Sequence, residues 1–162
     1  MRQNLHKYFI LINGMIFSLL LLSGRVYPQI TFKKTYGGPS GDVAYSMIQS
    51  SDSGFVLTGY TFGFGMGSYD PYLLKTNKSG EQEWLKIYGG IEADVGRSLQ
   101  QTMDGGFIIG GFTASFGAGF NDAYLIKTDS LGNLQWTKTF GGASTDVGNS
   151  VLQVSDGGYI ID

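Results

Sequence analysis

The chain has 162 residues and a formal net charge of −2, with 26 glycines, 14 % aromatic residues and only 15 % charged ones. That mixture suits short strands joined by tight turns and argues against helical and disordered classes. The absence of cysteine excludes a disulfide framework, a thiol nucleophile and a lipidated cysteine anchor. The single histidine, His6, lies at the N-terminus, so Ser-His-Asp, Cys-His and zinc sites have no residues to draw on elsewhere.

Arg2 and Lys7 precede an apolar run from Tyr8 to Leu22, followed by Ser23-Gly24 and polar residues. This is the order of a secretory signal, and a run of about 15 residues containing Asn13 and Gly14 is short for a membrane span. Residues 1–29 are therefore read as an export signal cut between Gly24 and Gln29, with an uncleaved anchor as the alternative. Its loss would leave 8 Lys/Arg against 13 Asp/Glu, an acidity that disfavours nucleic acid as a partner and leaves no membrane span.

From Ile30 to Tyr36, Phe32, Lys34 and Tyr36 alternate with Lys33 and Thr35, the period of a strand. Gly37 to Asp42 is a turn-rich connection, and Val43 to Ser50 reads as a second strand. Ser51-Asp52-Ser53-Gly54 reads as a two-residue hairpin turn of the Asp-Gly type, because its later copies are Met103-Asp104-Gly105-Gly106 and Ser155-Asp156-Gly157-Gly158. Phe55 to Thr61 is a strongly apolar strand expected to be buried on both faces. A loop from Phe62 to Tyr69, a strand from Asp70 to Thr76, a turn at Asn77 to Gly80 and a strand from Glu83 to Tyr88 complete the unit.

The unit then repeats. Setting residues 32–83 over 84–135 gives 22 identities in 52 positions without a gap, and a third copy starts at Trp136 and stops at Asp162 in mid-strand, as a fragment would. Four short antiparallel strands per 52 residues is the pattern of a β-propeller blade. The fold expected is all-β, a β-propeller of which about two and a half blades are present: 43–88, 95–140 and the start of a further blade at 147–162. Residues 30–36 are expected to be an outer strand that latches a ring, since closure removes unpaired edges. Such an open array, taken over 30–162 alone, is expected not to melt as a cooperative monomer.

Asp122 to Asp129, Gly132, Trp136, Gly141-Gly142, Asp146 and the triplets Gly59-Tyr60-Thr61 and Gly111-Phe112-Thr113 together resemble the bacterial β-propeller repeats called SBBP. The resemblance covers residues 30–162. It implies a secreted or surface-attached bacterial propeller, and it says little about activity, because propellers host enzymes, binders and scaffolds alike.

Side chains present in every copy are read as scaffold: Asp52, Asp104 and Asp156 in turns, Trp84 and Trp136 between blades, and Lys34, Lys86 and Lys138 lying along aromatics with the ammonium paired to a repeated aspartate. Asp42, Asp94 and Asp146 belong to the same class, with calcium as the sharper alternative because carboxylates and glycine carbonyls are hard-cation ligands. Residues that break the repeat point to a surface instead. Glu92 stands where Ser40 and Ser144 do, and Arg97 where Tyr45 and Asn149 do. The loops 62–69 and 114–121 differ while keeping Phe62, Phe64 and Tyr69 in one and Phe116 and Phe120 in the other. Aromatic, glycine-bearing loops stack on sugar rings or apolar protein surface. The function expected is a non-catalytic binding or structural module, exported to the cell surface or beyond, whose partner is an extracellular protein or polysaccharide and which needs no cofactor. The alternative is the propeller portion of a carbohydrate-active enzyme whose catalytic residues lie elsewhere.

Overall fold

The structure is a computed structural model that describes residues 9–12, 15–18 and 32–162. The chain divides into two compact units, residues 1–30 and 31–162. In the first, β1 (Phe9–Ile12) and β2 (Met15–Ser18) form an antiparallel pair with Ile12 opposite Met15. The remainder of the expected export signal, its cleavage point, and Ile30 and Thr31 of the expected outer strand lie outside the described residues.

The second unit is all-β, and among the described residues there is no helix, hence none long and apolar enough to cross a membrane. Strands β3 (Asp42–Gln49), β4 (Phe55–Thr61), β5 (Asp70–Thr76) and β6 (Gln82–Ile87) form one antiparallel sheet in chain order. Strands β7 (Asp94–Gln101), β8 (Phe107–Thr113), β9 (Asp122–Thr128) and β10 (Leu134–Phe140) repeat it, and β11 (Val151–Gln153) pairs with β12 (Tyr159–Ile161). The register repeats as the sequence does. Val56 faces Lys75 as Ile108 faces Lys127, and an irregularity follows Ala44 in β3 as it follows Gly96 in β7.

Strand alternation places Ile48, Val56 and Leu73 on one face of the first sheet. That face packs on Leu99, Phe107, Ile109, Tyr124 and Ile126 of the second sheet, with Trp84 at the edge. The other face of the second sheet offers Ile108, Leu125 and Trp136 to Val151, Tyr159 and Ile161 of the hairpin. Each unit therefore covers the next, in one direction.

Two expectations are corrected by the geometry. The hairpin turn is a three-residue loop: the Ser53 N–H donates to the Ser50 carbonyl (2.9 Å), and positive φ falls at Ser53 (69°), Gly105 (80°) and Gly157 (88°) but not at the preceding aspartates. A two-residue turn with positive φ at both centres is thus excluded. Residues 32–38 are outside any strand and have no ladder partner among the described residues.

Their side chains nevertheless repeat the contacts of an outer strand. Phe32 meets Phe55 edge-on at 5.5 Å, as Trp136 meets Tyr159 at 5.5 Å and Trp84 meets Phe107 at 6.2 Å. The Tyr36 hydroxyl donates to the Gly80 carbonyl (2.8 Å) as the Tyr88 hydroxyl does to Gly132 (2.7 Å). Lys34 reaches Glu81 as Lys86 reaches Asn133.

Candidate functional site

The two hairpin turns of each sheet lie at one end of the strands, and the loops 62–69 and 114–121 and the connections between sheets lie at the other. A parallel bridge between Tyr69 and Ala93, with the Asp94 N–H donating to the Tyr69 carbonyl (2.8 Å), ties the first loop to the first connection. Asn121 and Thr145 repeat it. Every residue singled out in the sequence as a repeat-breaker sits at or near this rim.

The structure divides those residues. Phe62 and Tyr69 come together, ring centroids 5.7 Å apart, and the row continues through Tyr60 (4.8 Å from Tyr69) to Tyr45 (5.9 Å from Tyr60). Tyr45, Phe62 and Tyr69 are all exposed. Phe64 is directed instead towards Gly38 and a cavity of about 220 Å³ on the first sheet, bordered by Tyr36, Asp42 and Tyr72. Phe116, its counterpart, packs on Tyr124 (5.8 Å) at the mouth of the matching groove between the sheets. Phe120 is exposed.

Arg97 lies over the ring of Phe112 (5.3 Å to the centroid) and donates to the Asn149 side-chain oxygen at 2.6 Å. Tyr45, Arg97 and Asn149 are the same position in successive copies, and Phe112 is the counterpart of Tyr60. An aromatic pair in the first sheet thus becomes a cation–aromatic pair in the second. Glu92 is exposed, and its backbone N–H donates to the Ser115 hydroxyl (3.0 Å). Tyr45, Tyr60, Phe112 and Asn149 were not singled out from sequence as a site. The signal was there for Tyr45 and Asn149, which share a repeat position with Arg97, whereas grouping them with Tyr60 depends on the irregularity in β3 and β7.

The aspartates of the rim are committed to backbone. The Gly38, Gly90 and Gly142 N–H groups donate to Asp42 (2.8 Å), Asp94 (2.7 Å) and Asp146 (3.0 Å). Asp70 and Asp122, both buried, accept from Gly67 (3.1 Å) and Ala118 (2.8 Å). Burial raises the Asp70 carboxyl pKa, opposed by the Gly67 N–H and reinforced by the charge of Asp94. Among the described residues no group of three or more His, Cys, Asp or Glu side chains is placed to hold a metal.

The lysines that pair with repeated aspartates are not those expected. Lys34 meets Glu81, Lys86 meets Asn133, and Lys138 lies over Trp136 (5.9 Å). The buried lysines are Lys75, which meets the half-exposed carboxylates of Asp52 (2.7 Å) and Glu83 (2.8 Å), and Lys127, which meets that of Asp104 (2.9 Å). Lys127 also donates to the Thr128 carbonyl (2.8 Å) and to Gln135 (3.1 Å), so its ammonium is fully partnered. Hydrogen bonds from Thr102 and then from Lys127 lower the Asp104 carboxyl to about 2, and Lys75 with Ser50 pulls Asp52 further down. These clusters lie at the turn end of the sheets, away from the aromatic row, and are scaffold.

No family model matches the chain, and no curated protein matches it.

Proposed function

We propose that residues 32–162 are consecutive blades of an exported bacterial β-propeller of the SBBP-like kind, acting outside the cell as a non-catalytic binding module. The sheets stacked face to face in one direction, with the side chains of 32–38 repeating the contacts that β6 and β10 make to the next sheet, are what supports the propeller reading. The observation that carries the binding reading is the row Phe62–Tyr69–Tyr60–Tyr45 on the loop-bearing rim. Three of its four rings are exposed, and the Arg97–Phe112 pair occupies the corresponding positions of the next sheet.

Rings held against one another in that way offer flat apolar faces at little entropic cost, with phenol hydroxyls at their edges. That combination suits a pyranose ring of an extracellular polysaccharide or an aromatic-rich protein surface. An enzyme reading finds less support: Asp70, Asp94 and Asp122 are buried and bonded to backbone N–H groups, out of reach of a substrate. The test is binding to a panel of soluble polysaccharides by affinity electrophoresis, comparing the natural chain with Tyr45→Ala and Tyr69→Ala. Retardation should fall about tenfold for each variant, the effect of on the order of 1.4 kcal/mol per lost ring. Variants retarded as strongly as the natural chain would remove the aromatic row from the site.

A further inference from the structure

A backbone irregularity recurs in each copy beside the aromatic row. In the first sheet the pairing of β3 with β4 slips between Ala44 and Ser46, and in the second that of β7 with β8 slips between Gly96 and Ser98. In the third copy the Asn149 and Ser150 N–H groups both donate to the Asp162 carbonyl. Each is a β-bulge, an extra residue without a ladder partner, whose effect is to re-aim one side chain. The residues so placed are Tyr45, Arg97 and Asn149, and their identity changes from copy to copy while the bulge stays. The scaffold keeps the position and varies its chemistry, as it would at a position that sets specificity.

Arg97 has a neighbour on each side: the first sheet packs on β7 at Leu99, and Asn149 follows on the other. Its half-buried state therefore belongs to the interior of the array. The guanidinium is fixed from two directions, by the Phe112 ring and by the Asn149 side-chain oxygen. A guanidinium carries five N–H donors. Among the described residues Asn149 is the one hydrogen-bond partner of the Arg97 side chain, and no carboxylate lies within ion-pair distance of it. Glu92, on the same rim, is exposed and forms no pair with it, and Asp94, on the same strand, is buried and bonded to the Gly90 N–H and the Ser115 hydroxyl (both 2.7 Å).

Gly96 brings this charge to the aromatic row. A Cβ there would come within 2.6 Å of the Thr58 hydroxyl and 3.3 Å of the Gly59 carbonyl oxygen, so β7 lies against β4 at the residue before Tyr60. Arg97 and Tyr60 are the residues next to that contact, and Tyr69 and Phe62 continue from Tyr60.

We infer that the ligand of this rim is an acidic polysaccharide, with a uronate carboxylate on the remaining N–H groups of Arg97 and pyranose rings on the aromatic row. This rests on the binding role proposed above for that row and names the chemistry of its ligand. The planar fork of an arginine matches a carboxylate with two parallel N–H···O bonds, and stacking on Phe112 holds the fork in place before the ligand arrives. Residues 30–162 carry 8 Lys/Arg against 13 Asp/Glu, so no long-range attraction gathers a polyanion. Recognition depends on this contact and is sensitive to its loss.

The test uses the full chain on immobilised polygalacturonate, alginate and hyaluronate, each beside its own methyl ester, which keeps the rings and removes the charge. The parent should bind at least one acid form about tenfold more tightly than its ester. Arg97→Gln, with its circular dichroism unchanged, should bind the two forms alike, and Arg97→Lys, which keeps the charge without the fork, should retain part of the preference. Acid and ester bound equally by the parent, or a preference that survives in Arg97→Gln, would overturn the inference. If binding still falls in Tyr69→Ala in that case, the aromatic row stands as the site of an uncharged ligand. No binding of the parent to any acid, ester or neutral polysaccharide would overturn both readings.

Discussion

Ser53 is the residue at which the repeat departs most plainly from what its backbone requires. Its φ of 69° is left-handed, where Gly105 and Gly157 stand in the other copies, and a side chain in that region costs about 1–2 kcal/mol against a right-handed conformation. Ser53→Gly should raise stability, by about 0.5–1 kcal/mol after the larger entropy of glycine in the unfolded chain is offset. Urea denaturation of the two proteins measures it, and a loss of stability would show that the serine hydroxyl contributes more than its backbone costs. The glycine that follows this position, Gly54 in the first copy and Gly106 in the second, answers to a different constraint. A Cβ on Gly106 would collide with the Thr128 carbonyl oxygen and come within 2.8 Å of the Lys127 ammonium. Gly106→Ala should therefore displace a buried, fully bonded cation, a loss of about 2–3 kcal/mol in the same experiment.

Single strands show how far the sequence carries and where it stops. The limits of β4 and β5 coincide with those read from alternation and turn residues: Gly54 precedes β4 and Asn77 follows β5, both residues that extend a ladder poorly. Lys75 and Lys127 escaped the same reading. A lysine within an apolar strand is legible as a strand residue, but its pairing with Asp52 or Asp104 depends on which strand the turn folds over. The glutamine at 49, 101 and 153 was visible as a repeat and silent as to role, since the partner of Gln101 and of Gln153 is a backbone N–H on another sheet. Residues 32–38 kept the predicted alternation and formed no strand, because the ladder partner that alternation requires is absent among the described residues.

The hairpin clusters also give the sheets a pH dependence. Asp52 and Asp104 are held below the unfolded carboxylate value by hydrogen bonds from Lys75 and Ser50, and from Thr102 and Lys127. A depressed folded pKa means that their contribution is complete above about pH 4, the unfolded value, and declines as pH falls through about 2. Acid titration followed by circular dichroism should show this loss between about pH 4 and 2. The double variant Asp52→Asn/Asp104→Asn should be less stable at neutral pH and should show a flatter curve through that window. A curve parallel to that of the parent would mean that other carboxylates dominate.

At the scale of the whole molecule, the array behaves as a line of sheets in which the worth of a position depends on whether a neighbour is present. Leu99 and Met47 occupy one position in successive copies, yet the first is held between two sheets and the second faces outward. Leu99→Ala removes buried methyl groups and leaves a void that rigid β-sheets cannot close, so it should cost about 2–5 kcal/mol. Met47→Ala removes nothing already buried and should change the stability of the dilute chain by no more than about 0.5 kcal/mol. The difference should narrow once a sheet covers Met47, because the energy of each face in a repeat array is shared with whatever lies on it. Urea denaturation of the dilute chain measures the two losses, and that of Met47→Ala should stay well below that of Leu99→Ala. A cost for Met47→Ala that is already large in dilute solution would mean that residues 32–38 close the first sheet without help.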